Sequence, residues 1–218
     1  YYNAMSALSG TASDATSPIQ TVQVSLTSGP VLGQNWWSGT TWIGPSAQTW
    51  VAASFVGGSS GTFTLSMPAT AWANGTQYRV ESRAFDVPGN LSLLGAPTDW
   101  TYDTSLPNSV VSTPTASGMI NAISAVAGTA FDPTPGTPAT VYVSLRRTGD
   151  SYYWNGSAWV SGAEIFNPAS GAASWTYTVP NSSFSTGLSF QARSKALDAA
   201  PNEEVPSGGN PFDYDNTP

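Results

Sequence analysis

The 218-residue chain contains no cysteine and no histidine. The first absence excludes a disulfide framework and a thiolate metal site. The second removes the usual general base, the Ser-His-Asp arrangement and imidazole ligation. Charge is scarce too: only 9% of residues are charged, against roughly a quarter in ordinary globular chains. Six basic residues face thirteen acidic ones, giving a net charge of −7. That balance argues against nucleic-acid backbones and anionic membranes as partners. No apolar run approaches the roughly 20 residues of a membrane span, and no signal-peptide pattern is present. Ser, Thr, Gly, Asn and Pro supply the polarity instead, as in many secreted β-proteins.

What is present is a repeat. Asn3 to Asp14 matches Asn121 to Asp132, and Val22 to Leu26 matches Val141 to Leu145. Trp37-Ser38-Gly39-Thr40-Thr41-Trp42 matches Trp154-Asn155-Gly156-Ser157-Ala158-Trp159. Phe63 to Pro68 matches Trp175 to Pro180, and Trp100 to Asp103 matches Phe212 to Asp215. The longest match runs from Tyr78 to Asn90 and from Phe190 to Asn202. In both copies an aspartate ends an alternating run and an asparagine follows four positions on. Order and spacing hold throughout, so one fold occurs twice.

The matched segments are short, alternating and rich in Val, Tyr, Phe, Trp and Thr, with Gly, Pro and Asn between them. That pattern predicts an all-β chain: two tandem immunoglobulin-like Greek-key sandwiches of about six or seven strands each. Alternation places Tyr78, Val80, Ser82 and Ala84 inside the first sandwich, with Arg79, Glu81 and Arg83 outside. The second copy agrees, with Phe190, Ala192, Ser194 and Ala196 inside. Lys195, the only lysine, falls on the outer face, which argues against a buried lysine cross-link. Asn155-Gly156 predicts a type I′ hairpin turn that brings the flanking tryptophans face to face on adjacent strands.

The proline-containing stretch Thr104 to Asn108 marks the joint. The expected domains are 1–107 and 108–218. Ser109 to Met119 supplies a first strand to the second repeat. The first repeat has almost nothing ahead of Asn3 for that purpose, so its first strand is expected to be truncated or supplied from outside. Both ends of the chain fall at repeat boundaries, the pattern of a slice from a longer tandem array.

These residues resemble the bacterial extracellular immunoglobulin-like repeats of adhesins and other large surface proteins. The marks are Gly10 to Asp14, Tyr153 to Trp159, Arg83 to Asn90, and Asp103 to Pro107. The second copy departs at its turn, Asp198-Ala199-Ala200-Pro201-Asn202, which has no glycine. The resemblance implies a non-catalytic stalk, spacer or fibre subunit at the cell surface or outside the cell. Its expected partners are adjacent repeats or neighbouring copies. The resemblance also implies calcium at the joints between modules, with Asp103 reaching the upper loops of the next module.

Calcium fits the residues present, because it takes six to eight oxygens and needs neither histidine nor cysteine. In such a sandwich the loop after the second strand and the loop after the sixth share one end. The candidate ligands are therefore Asp14 with Asp86 and Asn90, and Asp132 with Asp198 and Asn202, with Asp103 at the joint. The glycine in the first turn favours the first site. The competing reading is that these residues only cap turns. Catalysis is disfavoured, although Glu81 and Glu164 are carboxylates of unknown separation. Carbohydrate binding is the alternative function, because nine tryptophans and nine tyrosines are many for two sandwich cores. Its candidate residues are Trp37, Trp42, Trp154 and Trp159.

Overall fold

A computed structural model describes residues 1–29, 33–45, 47–133, 136–206 and 208–218. The chain divides into two compact units, Tyr1–Thr104 and Ser105–Pro218. In the first, the strands are β1 (Ala7–Ser13), β2 (Ile19–Ser28), β3 (Asn35–Trp37), β4 (Trp42–Ile43), β5 (Val51–Gly57), β6 (Ser60–Ser66), β7 (Thr76–Asp86) and β8 (Thr98–Tyr102). In the second they are β9 (Asn108–Thr113), β10 (Gly118–Ile120), β11 (Ala125–Phe131), β12 (Pro138–Arg147), β13 (Tyr152–Trp154), β14 (Trp159–Val160), β15 (Asn167–Pro168), β16 (Ser170–Gly171), β17 (Ser174–Thr178), β18 (Leu188–Asp198) and β19 (Asn210–Tyr214).

Each unit is a mainly antiparallel β-sandwich of immunoglobulin-like type, with β10 running parallel to its neighbour β19. In the second unit one sheet runs β9-β11-β17-β16 and the other β10-β19-β18-β12-β13-β14. Half of the neighbouring strands in these two orders are not consecutive in the chain, because the connections from β11 to β12 and from β17 to β18 change sheets. The first unit repeats this order as β1-β6-β5 and β8-β7-β2-β3-β4. There β5 pairs with β2 through Val51 to Ala53 and with β6 through Ser54 to Gly57, so one strand joins both layers. In the second unit the same task falls to two short pieces, β15 on β12 and β16 on β17. Pro168 lacks the backbone donor that would continue a ladder.

The cores are aromatic. In the first unit Trp37, Phe63, Trp72, Tyr78 and Trp100 pack with Leu8, Val22, Val24 and Leu26. In the second, Trp154, Trp175, Phe184, Phe190, Phe212 and Tyr214 pack with Val126, Val141, Val143 and Leu145. Alternation along β18 is strict, with Phe190, Ala192, Ser194 and Ala196 all 1% exposed or less. Along β7 the same alternation leaves Val80 and Ser82 only half-buried.

The hairpin differs from the sequence expectation. Trp154 pairs with Trp159 across four loop residues, not two. Asn155 is not among the residues of positive φ, whereas Gly156 has φ +101°. The Asn155 side chain fixes the loop instead: its Oδ1 accepts from the Ser157 amide at 3.0 Å and the Ala158 amide at 2.8 Å. Local side-chain capping thus displaces the type I′ geometry. The tryptophans do meet, with ring centroids 5.6 Å apart here and 5.4 Å for Trp37 and Trp42.

Candidate functional site

The loops after β1 and β7 meet at one end of the first unit. Asp14 Oδ1 accepts from the Thr16 amide at 2.8 Å, the Thr16 hydroxyl at 3.0 Å and the Ser17 amide at 2.9 Å. Asp86 Oδ1 accepts from the Asn90 amide at 2.6 Å. Its Oδ2 accepts from Asn90 Nδ2 at 2.8 Å and from the Ser17 hydroxyl at 2.7 Å. Ser17 therefore ties the two loops together, a role that no sequence motif signalled. The donors hold both carboxyls below the usual carboxylate range: chiefly the Thr16 amide for Asp14, and chiefly the Asn90 side chain for Asp86. This is the geometry of two capped turns. Both Asp86 oxygens are engaged by these internal donors.

The second unit builds the same turn without glycine. Asp198 Oδ1 accepts from the Ala200 amide at 2.8 Å and the Asn202 amide at 2.7 Å, and Oδ2 from Asn202 Nδ2 at 2.7 Å. Pro201 takes φ +25° at the place of the glycine. Asp86 is 4% exposed, as dry as its counterpart Asp198, and the difference lies at Asp132, which is buried where Asp14 is half-buried. Asp132 is 4% exposed and Asp198 3%, and carboxylate oxygens of the two lie within 4.8 Å of each other. Two like charges so close and so dry repel strongly unless a cation or another positive group lies against them. Glu204 is also buried, but its Oε2 is engaged by the Ala196 amide at 2.9 Å. Its neighbour Glu203 points outward and pairs with Lys195. Lys195 also lies over the Phe166 ring at 4.6 Å. Asp103 is buried directly after β8, and its amide donates to the Tyr2 carbonyl at 2.9 Å.

The tryptophans expected as a ligand surface lie elsewhere. Trp37 and Trp154 are 2% and 3% exposed and belong to the cores. Trp42 and Trp159 are half-buried, and each fastens its indole N–H to a backbone carbonyl, Ala71 at 2.9 Å and Ser183 at 2.6 Å. Those carbonyls belong to matching single 3-10 turns, Ala69–Ala71 and Asn181–Ser183. All four rings pack in cross-strand pairs within their own unit. Glu81 and Glu164 are each tied within their own unit, Glu81 to Gln48 at 2.7 Å and Glu164 to Arg193 at 2.9 Å. A different tryptophan, Trp36, lines a polar cavity of about 180 Å³ with Ser25, Gln48, Arg79 and Glu81. A larger groove of about 580 Å³ runs along β1 between the two layers of the first unit.

No protein-family profile matches the chain, and no curated protein matches it. Solved structures of similar shape include the fibronectin(III)-like modules of Clostridium thermocellum CbhA, at 13% identity and TM-score 0.46. That match covers 98% of this chain and 88% of the other. The FN1-FN3 domains of chicken CNTN1 match at 11% identity and TM-score 0.34, over 96% of this chain and 62% of that one.

Proposed function

We propose that the chain is a non-catalytic structural module of a secreted or cell-surface bacterial protein, serving as stalk, spacer or fibre unit. One observation carries this reading. In both units an aspartate closes its own end turn, Asp86 on Asn90 and Asp198 on Asn202, beside a core built from that unit's own residues. Loops built this way hold a rigid bead in shape. They do not present acids and bases to a substrate. The partners in this reading are adjacent repeats or further copies of the same protein.

Calcium belongs to the same proposal, now placed at the second unit. Asp132 and Asp198 offer buried carboxylate oxygens, the donor type calcium prefers, and a cation there relieves their mutual repulsion. Calorimetric melting with calcium and with a chelator tests it. A hundredfold excess of calcium over its Kd adds about 2.7 kcal/mol to the second unit. Asp132→Asn is expected to reduce the gain. An identical melt in both buffers removes calcium from the account.

The alternative is a glycan-binding module, and the cavity beside Trp36 favours it. An aromatic face next to an amide, a carboxylate and a guanidinium suits a sugar ring and its hydroxyls. Glycan-array binding that is lost with Trp36→Ala supports this alternative. Absence of binding to any glycan leaves the structural reading in place.

A further inference from the structure

We infer, resting on the glycan-binding reading above, that the cavity beside Trp36 takes the terminal amino sugar of a glycan, with its ammonium against the Glu81 carboxylate. The floor of the cavity is the outer face of the sheet at β7, β2 and β3. Thr27 of β2 stands at its centre, opposite Arg79 on one side and Trp36 on the other. Neighbouring strands lie about 4.8 Å apart, so Arg79 and Trp36 rise from the sheet about 10 Å from each other. Thr27 is short and 2% exposed, and its hydroxyl already accepts the Gly33 amide at 2.7 Å. The cavity measures about 180 Å³. That is below the roughly 300 Å³ of a drug-sized site and suits one sugar ring, not a stretch of chain.

The second unit furnishes the same place from its own chain. Arg146 stands where the first unit has Thr27, opposite Gln191 on one side and Tyr153 on the other. Ser25 pairs with Glu81 in the first unit, and its counterpart Ser144 pairs with Arg193 in the second. The loop residue over this face changes in step. Glu164 accepts from Arg193 at 2.9 Å, whereas Gln48 donates to Glu81 Oε2 at 2.7 Å. The second unit thus lays guanidinium groups on its sheet and answers them with an acid. The first unit puts the acid on the sheet and leaves the centre short. Among the described residues Arg79 is the one cation lining the cavity, and it is already held. Its Nε and Nη2 donate to the two Asp99 oxygens at 2.7 Å each. Glu81 receives only the neutral Gln48 amide and keeps its charge for a ligand.

The walls ask for two things at once. Glu81 calls for a cation. Trp36 calls for an acceptor, because its indole N–H is buried with no partner among the described residues. The face of the same ring attracts a cation. An amine and hydroxyls on a single ring meet all three demands, and that is an amino sugar. The net charge of −7 draws such a ligand in and repels uronic or sulfated sugars. N-acetylation removes the ammonium, and a neutral hexose never had one, so both leave the carboxylate unanswered.

The test titrates the full chain with glucosamine, N-acetylglucosamine, glucose and methylamine, followed by calorimetry and saturation-transfer NMR. The titrations run at about pH 6, where an ordinary amine is charged. Glucosamine is expected to bind one-to-one with a Kd of about 1–10 mM, the weak range of a ligand with few contacts. The other three should bind at least about tenfold more weakly. Glu81→Gln removes the charge and leaves an oxygen for Gln48. It should weaken glucosamine at least about tenfold and bring it level with glucose. Thr27→Arg sets the second unit's own guanidinium in the cavity and should abolish binding. Glu81→Gln, with its melt unchanged, decides the matter even where Thr27→Arg misfolds. Equal binding of glucosamine and glucose overturns the amino-sugar assignment and leaves the glycan reading standing. So does glucosamine binding that survives Glu81→Gln. Methylamine binding as tightly as glucosamine shows a site for bare charge, and overturns it too. No binding of any of the three sugars up to about 100 mM overturns both the assignment and the glycan reading.

Discussion

Ser109 and Ser194 join their hydroxyls at 2.8 Å across the interior of the second sandwich, and both are 1% exposed. The bond fastens the first strand of one layer to the centre of the other. Ser109→Ala leaves the Ser194 hydroxyl buried without its donor, a loss of about 1–2 kcal/mol. Replacing both serines by alanine should recover part of that loss. Ser82→Ala, at the matching place in the first unit, should change stability by less than about 0.5 kcal/mol. Denaturant unfolding of the three variants gives the comparison.

The paired tryptophans hold the cores and bind nothing in this account. Trp154→Ala or Trp37→Ala should destabilise its own unit by about 3–5 kcal/mol, the usual effect of emptying a large core position. Trp159→Ala also releases the Ser183 carbonyl from its indole donor and should approach the same size. A stable, fully folded Trp154→Ala protein with altered glycan binding contradicts the assignment.

Adjacent glutamates should behave in opposite ways. Glu203 is more than half exposed and pairs with Lys195 in solvent. Glu203→Gln should therefore cost less than about 1 kcal/mol. Glu204 is 6% exposed and accepts the Ala196 amide. Glu204→Ala strands that amide in the interior and should cost about 1–3 kcal/mol. Urea midpoints of the second unit measure both.

Acid should loosen the first unit through its end loops. Asp14 and Asp86 have carboxyl pKa values held below their ordinary value of 3.8 by donors that prefer the charged form. A depressed folded pKa means that their contribution is fully present above the unfolded pKa. It is lost as pH falls through the folded pKa. Unfolding midpoints of the first unit should fall below about pH 4. In Asp86→Ala that acid limb should be flatter, at the cost of lower stability at neutral pH. An unchanged acid limb in the variant means that these carboxylates are not what the acid titrates.

Much of the scaffold was legible in the sequence because a strand buried on one face writes its alternation into the chain. The run from Phe190 to Ala196 was assigned face by face and lies that way. The repeat showed that one fold occurs twice, and Trp37 to Trp42 and Trp154 to Trp159 do occupy the same place in each sandwich. Side-chain capping was less legible. The Asn155-Gly156 pair predicts positive φ at both residues, but the Asn155 amide oxygen closes a longer loop. The end-loop aspartates were found as pairs, yet nothing in sequence distinguishes Asp14, half-buried and capped by Thr16 and Ser17, from its counterpart Asp132, buried beside Asp198. Burial depends on what covers a residue, and composition does not encode that. The Arg83 side chain, assigned to the outer face, also lies 4.1 Å over the Trp50 ring. The partner comes from a distant loop, and alternation along β7 carries no trace of it.

In the proposed reading each of the two units acts as a mechanical bead. Stretching single molecules between their ends tests it most directly. The account predicts two separate unfolding events, each lengthening the chain by roughly 30–35 nm for about a hundred residues released. Calcium should raise the force of the event assigned to the second unit by Asp132→Asn. One concerted event releasing the whole chain, or gradual extension without force peaks, would contradict it.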